Sequence, residues 1–213
     1  QRVSNDDFNN EAFPWLSGRT IKIGCAETLA VRVNFVGELG WEIHSPIEMQ
    51  NYIFDCLMES GSDLGLKPFG IRAMDSLRIE KSYRLIGTEL SIEYAGYESG
   101  LDRFIHPNKG EFIGRDALVE WREKGFDNSF VTLEVHDVDD ADALGNNPIY
   151  SEGEVVGRAT GGNYGFRTQK SLALAMVRPK HAEIGTRLQI DILGKMHDAS
   201  VIPESPYDPD NLK

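Results

Sequence analysis

Glu42 and His44 are the side chains whose types and spacing best suit them to bind a polar ligand. They lie in the stretch 31–46, VRVNFVGELGWEIHSP, which predicts a strand, a tight Gly-Glu-Leu-Gly turn and a second strand. Side chains alternate faces along a strand, so Glu42 and His44 share one face while Trp41 and Ile43 share the other. If the apolar pair faces a core, Glu42 either faces water or lines a cavity as a fixed acceptor for a polar heterocycle.

The acidic charge of the chain restricts its partners. The 213 residues include 22 Lys and Arg against 34 Asp and Glu, which gives a formal net charge of −12. Such a surface repels the phosphates of nucleic acids and anionic membranes, and no basic cluster offsets it. No apolar run has the length of a membrane span. We therefore expect neither a nucleic-acid nor a membrane partner.

Conventional metal and catalytic motifs are absent from the sequence. Cys25 and Cys56 are far apart in the chain, and none of the five histidines has metal-ligand spacing to another ligand. No Gly-x-Ser-x-Gly, Walker or Gly-x-Gly-x-x-Gly motif occurs in its required context. We expect no metal site, no catalytic residue and two reduced thiols in a cytoplasmic protein.

Apolar periodicity in the first part of the chain predicts an α+β layer. Strands are predicted over 21–23, 28–35 and 41–44, and helices over 46–60, 70–83 and 114–123. In the helix 70–83, Asp75 and Arg78 can pair across one turn. We expect a ferredoxin-like α/β layer over residues 1–125, with helices on one face of the sheet.

The second part of the chain has a different pattern. Short alternating strands, separated by Gly, Pro, Asn and Asp, are predicted over 129–136, 148–150, 154–160, 172–178, 187–193 and 198–202. This spacing is typical of a small β-barrel or sandwich. We expect a C-terminal β-barrel domain over residues 126–213.

The first residues have the character of a continuation. The chain has no initiator Met, and residues 1–3 resemble the end of a helix, while Ser4 to Asp7 could cap a short second helix. We therefore expect an N-terminally incomplete domain cut from a longer polypeptide.

Four passages carry a resemblance to a known family. In chain order they are VNFVGELGWEIHSP, FGIRAMDSLRIEKSYRLIGTEL, YESGLDRFIHPNKGEFIGRDAL and VGRATGGNYGFRTQKSLALAMV. They resemble the aminomethyltransferase family, whose best-known member is the glycine-cleavage T-protein. The chain is more similar still to the C-terminal folate-binding region of dimethylglycine and sarcosine dehydrogenases, and its ending, IPESPYDPDN, resembles the bacterial dehydrogenases.

This resemblance implies a fold and an activity. Family members build three domains around a central hole that holds tetrahydrofolate, and they transfer a one-carbon unit between an amine and tetrahydrofolate. In the dehydrogenase branch, an upstream FAD domain of the same polypeptide oxidises a methylated amine to an iminium, and the folate module captures the carbon as 5,10-methylenetetrahydrofolate. Such chemistry depends mainly on positioning.

The resemblance also implies particular site residues. Glu42 matches the pterin-binding glutamate of the family, and its carboxylate can accept two N–H bonds from the pterin edge. Tyr83 matches an aromatic residue that lines the folate tail, although a core tyrosine explains that position equally well. Glu98 matches a family glutamate that we interpret as structural.

Two departures from the family pattern affect the prediction. T-proteins place an arginine before the helix aspartate that corresponds to Asp75, where this chain has Met74. The dehydrogenase branch also tends to lack this arginine. Arg72 is half a turn away and would point to another side of the helix. The catalytic aspartate of the family lies upstream of this sequence, and neither Asp6 nor Asp7 has matching surroundings, so no catalytic residue is assigned.

Three other functions stay open from the sequence. One is a tetrahydrofolate-dependent demethylase that acts on a sulfonium or methoxy compound, and another is a T-protein aminomethyltransferase. The third is a non-catalytic module that keeps the same fold, which the missing aspartate and Met74 make worth considering.

Overall fold

A computed structural model describes residues 1–212, which form two compact units. The first unit contains residues 1–74 and the last residues of the chain, and the second contains residues 75–210. Each unit has its own hydrophobic core, so the two are described separately.

The sheet of the first unit is antiparallel and amphipathic. Its strands within residues 1–74 are β1 (Gly18–Ile23), β2 (Ala26–Val31) and β3 (Glu42–His44), with β2 in the middle. One face packs Ile21, Ile23, Ala26 and Ala30 into a core with Phe13 and Ile53. The opposite face carries polar and partly exposed side chains, as strand alternation requires.

A helix covers the apolar face of this sheet. A 3₁₀ turn, Ile47–Met49, follows Pro46 and leads into α1 (Gln50–Gly61). Proline suits this position because a backbone N–H at a helix start has no partner within the helix, so proline loses no hydrogen bond there. Ile53, Cys56 and Leu57, spaced three or four residues apart, lie against the core.

The second unit contains the barrel strands and one further α-helix of the described chain. The helix α2 (Ile71–Ile79) spans the division between the units, and α3 (Arg115–Lys124) follows irregular segments. The strands are β4 (Ser129–Val135), β5 (Pro148–Ser151), β6 (Glu154–Gly165), β7 (Lys170–Val177), β8 (Arg187–Ile192) and β9 (Lys195–Ile202). They form a closed antiparallel barrel in the order β4-β7-β6-β5-β8-β9.

The strand β7 is buried on both faces, which explains its nearly continuous apolar sequence. Ala173, Ala175 and Val177 point into the barrel core. Leu172 and Leu174 point outward and pack in a second cluster that includes Ile79 and Phe130 of the same unit. Small alanines inside the barrel and larger side chains outside it therefore match the space available on each side.

The structure confirms the α+β class and the C-terminal β-barrel. Every barrel strand overlaps its predicted range. The predicted helix after Ser4 is wrong, because residues 1–17 form turns and irregular segments and no helix. Its polar side chains cap those turns instead: Asp6 accepts a hydrogen bond from the Ser4 hydroxyl, and Asn9 contacts Asp7. The domain boundary between residues 125 and 126 stays a prediction.

Candidate functional site

Glu42 lies on the outward face of β3, one of the two edge strands of the sheet in the first unit. The register pairs Val31 with Glu42, and the flanking side chains of Trp41 and Ile43 pack against the core beside Phe8. The alternation predicted from the sequence is therefore confirmed. The Glu42 side chain is 55% exposed, so its carboxylate is available to a ligand that approaches this face.

Glu42 and His44 form a pair on that face. Glu42 Oε2 lies 3.4 Å from His44 Nε2, and the His44 side chain is 57% exposed. A carboxylate has acceptor sites on both oxygens, so one histidine contact leaves capacity for further N–H donors. The pair can bind a planar group that presents adjacent N–H donors at this face.

The outward face around Glu42 also has apolar surface. Leu29, which pairs with His44 in the sheet, is 44% exposed, and Val31 is half-buried beside Glu42. A polar groove of about 540 Å³ lies farther along the sheet; Arg2, Lys22 and Glu27 are among its lining residues, and Glu42 is not. Sequence reasoning did not find this groove.

Tyr83 lies in the second unit, just after α2. Its backbone is fixed by Arg78 from both directions: Tyr83 N–H donates to the Arg78 carbonyl at 3.0 Å, and Arg78 Nη1 donates to the Tyr83 carbonyl at 2.9 Å. The phenol is half-buried, and this burial raises the pKa of Tyr83, an effect that nearby Arg103 opposes. Glu42 and Tyr83 belong to different units.

Arg78 belongs to a buried polar network that the sequence showed only in part. Its side chain is 3% exposed, and its Nε donates to Asp75 Oδ1 at 2.7 Å, which confirms the predicted helix pair. Its Nη1 also lies 3.7 Å from Glu89, which is fully buried and accepts a hydrogen bond from Thr160. Asn163 Nδ2 donates to the other Asp75 oxygen at 3.2 Å. This network holds the end of α2 against the barrel strand β6.

Glu80 is a second fully buried carboxylate of this region, and sequence reasoning missed it. Its side chain has no exposed surface and contacts Arg167 Nε at 2.6 Å. Its Oε1 accepts hydrogen bonds from the backbone N–H groups of Arg167 at 2.8 Å and Thr168 at 2.7 Å. The Asp-Ser-Leu-Arg-x-Glu motif, which ends at Glu80, was the sequence signal that could have identified this residue. These bonds give Glu80 a structural role in closing the turn after β6.

Glu98 is structural, as interpreted from the sequence. It is 4% exposed; its Oε2 accepts from Ala95 N–H at 2.8 Å, and its Oε1 accepts from Asn128 N–H at 3.0 Å. The backbone carbonyl of Glu98 also accepts a hydrogen bond from Phe130 N–H at 2.8 Å. The side chain therefore ties an irregular segment to the start of β4.

Arg72 and Asp6 are two residues that the sequence analysis left out of the site. Arg72 is exposed on α2, and Met74 is half-buried. Asp6 accepts hydrogen bonds from the Ser4 hydroxyl at 2.9 Å and the Lys22 N–H at 3.3 Å. These hydrogen bonds give Asp6 a structural role within the first unit.

Residues 1–212 contain neither a candidate metal centre nor a candidate membrane-spanning helix. No group of three or more His, Cys, Asp or Glu side chains in that range could hold a metal ion. None of the helices in that range combines the length and apolar character needed to cross a membrane.

We expect Tyr83→Phe to make folding stability less sensitive to high pH. Burial raises the pKa of Tyr83 above its ordinary value of about 10 in an unfolded chain. The stability that this phenol contributes is present below pH 10 and is lost as the pH rises through its folded pKa. Urea midpoints at pH 9 and pH 11 should fall more in the wild type than in the variant, and equal losses would contradict this assignment.

Two family models match the chain. Residues 1–109 match the GCVT N-terminal domain, and residues 128–208 match the glycine cleavage T-protein C-terminal barrel domain. The first match contains Glu42 and Tyr83, and the second contains the six barrel strands of the second unit.

Curated relatives match nearly the whole chain. Human mitochondrial dimethylglycine dehydrogenase is 35% identical over 205 residues, which cover 96% of this chain and 24% of that protein. An aminomethyltransferase of Caldanaerobacter subterraneus subsp. tengcongensis is 30% identical, covering 97% of this chain and 54% of that protein. The chain thus spans about a quarter of one relative and about half of the other.

A solved structure shares the fold. The aminomethyltransferase T of the glycine cleavage system from Bartonella henselae matches with a TM-score of 0.77 at 23% sequence identity. The match covers 85% of this chain and 50% of that protein.

Proposed function

The chain belongs to the glycine-cleavage T-protein family, and we propose that it is the tetrahydrofolate-binding part of a one-carbon-transferring enzyme similar to dimethylglycine dehydrogenase. The observation that carries this proposal is the placement of Glu42, within the matched residues 1–109, on an exposed sheet face. The 35% identity to human dimethylglycine dehydrogenase over 96% of the chain supports that branch.

The surroundings of Glu42 fit the pterin of tetrahydrofolate. An aminopyrimidine edge presents adjacent N–H donors, and a carboxylate can accept both in charge-assisted hydrogen bonds. Partly exposed Leu29 and Val31 supply apolar surface beside the carboxylate for a flat ring. Glu42 would therefore orient the pterin. Tyr83 is proposed as a folate-contacting residue on separate grounds, its match to an aromatic position of the family.

The residues of this chain would act by binding and orientation. Bound tetrahydrofolate supplies the nucleophilic nitrogen that accepts the carbon. Arg78 fixes the Tyr83 backbone through two hydrogen bonds, so that the side chain starts from a defined position. Holding reacting groups in place in this way removes much of the entropic barrier to a bimolecular step. FAD would belong to another domain of the same polypeptide, which would also bind the methylated amine.

Met74 favours the dehydrogenase-like function over a T-protein aminomethyltransferase. T-proteins have an arginine at this position, next to Asp75, and the half-buried Met74 offers no charge there. A thioether carries no charge and donates no hydrogen bond, so a ligand near this position would be bound differently in this chain.

The test is the folate product formed by the natural protein that contains this chain. It would be supplied with dimethylglycine or sarcosine, tetrahydrofolate and an electron acceptor that reoxidises the flavin, and the folates would be separated by chromatography. We expect 5,10-methylenetetrahydrofolate to form in proportion to the amine consumed. Formation of 5-methyltetrahydrofolate from a methoxy or sulfonium donor would instead establish the demethylase, and amine oxidation that releases all carbon as formaldehyde at saturating tetrahydrofolate would refute the proposal.

A further inference from the structure

A second groove lies on the barrel of the second unit, within residues 136–200. Its volume is about 770 Å³, which is in the range of small-molecule sites in proteins. Its lining residues come from the adjacent strands β5, β8 and β9 and from the segments that follow β4 and β5. The groove therefore belongs to the barrel alone and is separate from the sheet that carries Glu42.

Arg187 supplies an unpaired positive charge to this groove. It lies on β8 before Leu188, which points into the barrel core, so the Arg187 side chain points outward. Arg187 is exposed, and its guanidinium has no hydrogen bond or ion pair with any side chain of residues 1–212. A guanidinium without a partner in its own chain can bind a ligand carboxylate through two parallel N–H donors.

The Ser200 hydroxyl lies beside Arg187. Ser200 of β9 pairs with Arg187 in the sheet register, and its Oγ is 3.0 Å from His136 Nε2. The backbone N–H of His136 donates to the Asp198 carbonyl at 2.8 Å, which fixes this histidine against β9. When the imidazole donates to Ser200, the hydroxyl can donate to the same ligand group as Arg187.

Asp198 supplies a negative charge two residues farther along the strands. It pairs with Gln189 in the register, and Gln189 Nε2 donates to Asp198 Oδ1 at 3.0 Å. This bond orients the carboxylate and leaves its second oxygen for a ligand. Gln189 and Arg187 lie on the same face of β8 and are about 7 Å apart along the strand. The ammonium and carboxylate groups of one amino acid, each a hydrogen bond away from its partner, span a distance of this size.

Tyr150 adds an aromatic ring to the groove. It pairs with Gln189 from the other side of β8, so Tyr150, Gln189 and Asp198 form one row across three strands. The Tyr150 side chain is half-buried in the lining of the groove. Aromatic rings pack favourably on one another in offset or edge-to-face arrangements. An aromatic ligand can therefore contact Tyr150 while its charged groups contact the two charged ends.

The charges of the lining restrict the ligand class. Arg187 faces three carboxylates in the lining, those of Asp137, Glu152 and Asp198. These carboxylates repel polyanions such as nucleotides. A ligand with only positive charge would leave Arg187 without a partner. A zwitterion matches both signs.

We propose that this groove binds a zwitterionic amino acid with an aromatic side chain. Its carboxylate contacts Arg187 and Ser200, its ammonium group contacts Asp198, and its ring packs on Tyr150. This proposal goes beyond folate binding and does not depend on it.

The experiment is isothermal titration of the full chain with L-phenylalanine and two blocked derivatives. N-acetyl-L-phenylalanine lacks the ammonium group, and L-phenylalanine methyl ester lacks the carboxylate. Each derivative loses one charge-assisted contact, so we expect both to bind about tenfold more weakly than L-phenylalanine. Equal affinities for the three compounds, or no binding of L-phenylalanine, would overturn the proposal.

Two variants assign the contacts. Arg187→Gln should weaken L-phenylalanine binding about tenfold without weakening the binding of the methyl ester, which has no carboxylate for Arg187. Asp198→Asn should likewise weaken L-phenylalanine binding without affecting the N-acetyl compound. Both residues are exposed, so the variants should fold, which circular dichroism checks.

Arg178→Gln is the matched control. Arg178 is also exposed, follows β7 in the same unit and has no side-chain partner within residues 1–212, but it is not among the residues that line the groove. Its replacement should leave the affinity for L-phenylalanine unchanged. A loss equal to that of Arg187→Gln would show an effect of general charge and would overturn the assignment of the carboxylate to Arg187.

Discussion

Replacing Glu80 with glutamine is expected to lower the free energy of unfolding by about 3 kcal/mol, because it removes the charge partner of Arg167 in a buried site. Glu80 has no exposed surface and accepts hydrogen bonds from Arg167 Nε and from two backbone N–H groups. The new amide would also direct an NH₂ group toward these donors. Urea unfolding followed by circular dichroism measures the loss.

Glu134→Gln is the matched control for this prediction. Glu134 also pairs with a cation in the second unit, Lys170 at 2.6 Å, but both side chains retain exposure. Partly exposed pairs contribute little, so we expect a loss below about 1 kcal/mol. If the Glu80 variant were no less stable than the Glu134 variant, the turn after β6 would not depend on the buried carboxylate.

Replacing Glu42 with glutamine is expected to weaken tetrahydrofolate binding by roughly 10- to 100-fold. Hydrogen bonds to a charged group contribute about 1.5–3 kcal/mol, and an amide offers only one acceptor atom to the pterin edge. Since the Glu42 side chain is 55% exposed, the substitution should leave the unfolding midpoint unchanged. Isothermal titration of the natural protein measures the dissociation constant.

Glu27→Gln controls for the loss of a negative charge near the same site. Glu27 is an exposed residue of the neighbouring strand β2 and lies on the same sheet face as Glu42. We expect its replacement to change folate affinity less than twofold. Similar losses in both variants would mean that general charge, and not a direct contact from Glu42, controls the affinity.

Local patterns predicted much of the secondary structure. The apolar–polar alternation around Glu42 was sufficient to predict its outward orientation, because strand geometry fixes which side chains share a face. The barrel strands were also marked by short apolar runs and turn residues. The barrel order was not predictable, since pairing β4 with β9 joins segments about 70 residues apart and depends on closure of the whole barrel.

The environment of charged residues was harder to predict. The sequence predicted the pairing of Asp75 with Arg78 but gave no sign that Arg78 would be 3% exposed. The burial of Glu80 depends on Arg167 and Thr168, which lie far along the chain. Side-chain periodicity does not report such long-range contacts.

The most direct test of the central claim is hydrogen exchange of the natural protein with and without tetrahydrofolate, resolved by peptide. A pterin bound to Glu42 should slow exchange in the peptides that contain β2 and β3, residues 26–44. Peptides of β8 and β9, residues 187–202, should exchange at unchanged rates. Protection confined to other regions at saturating tetrahydrofolate, with residues 26–44 unaffected, would contradict the placement of the pterin on this sheet.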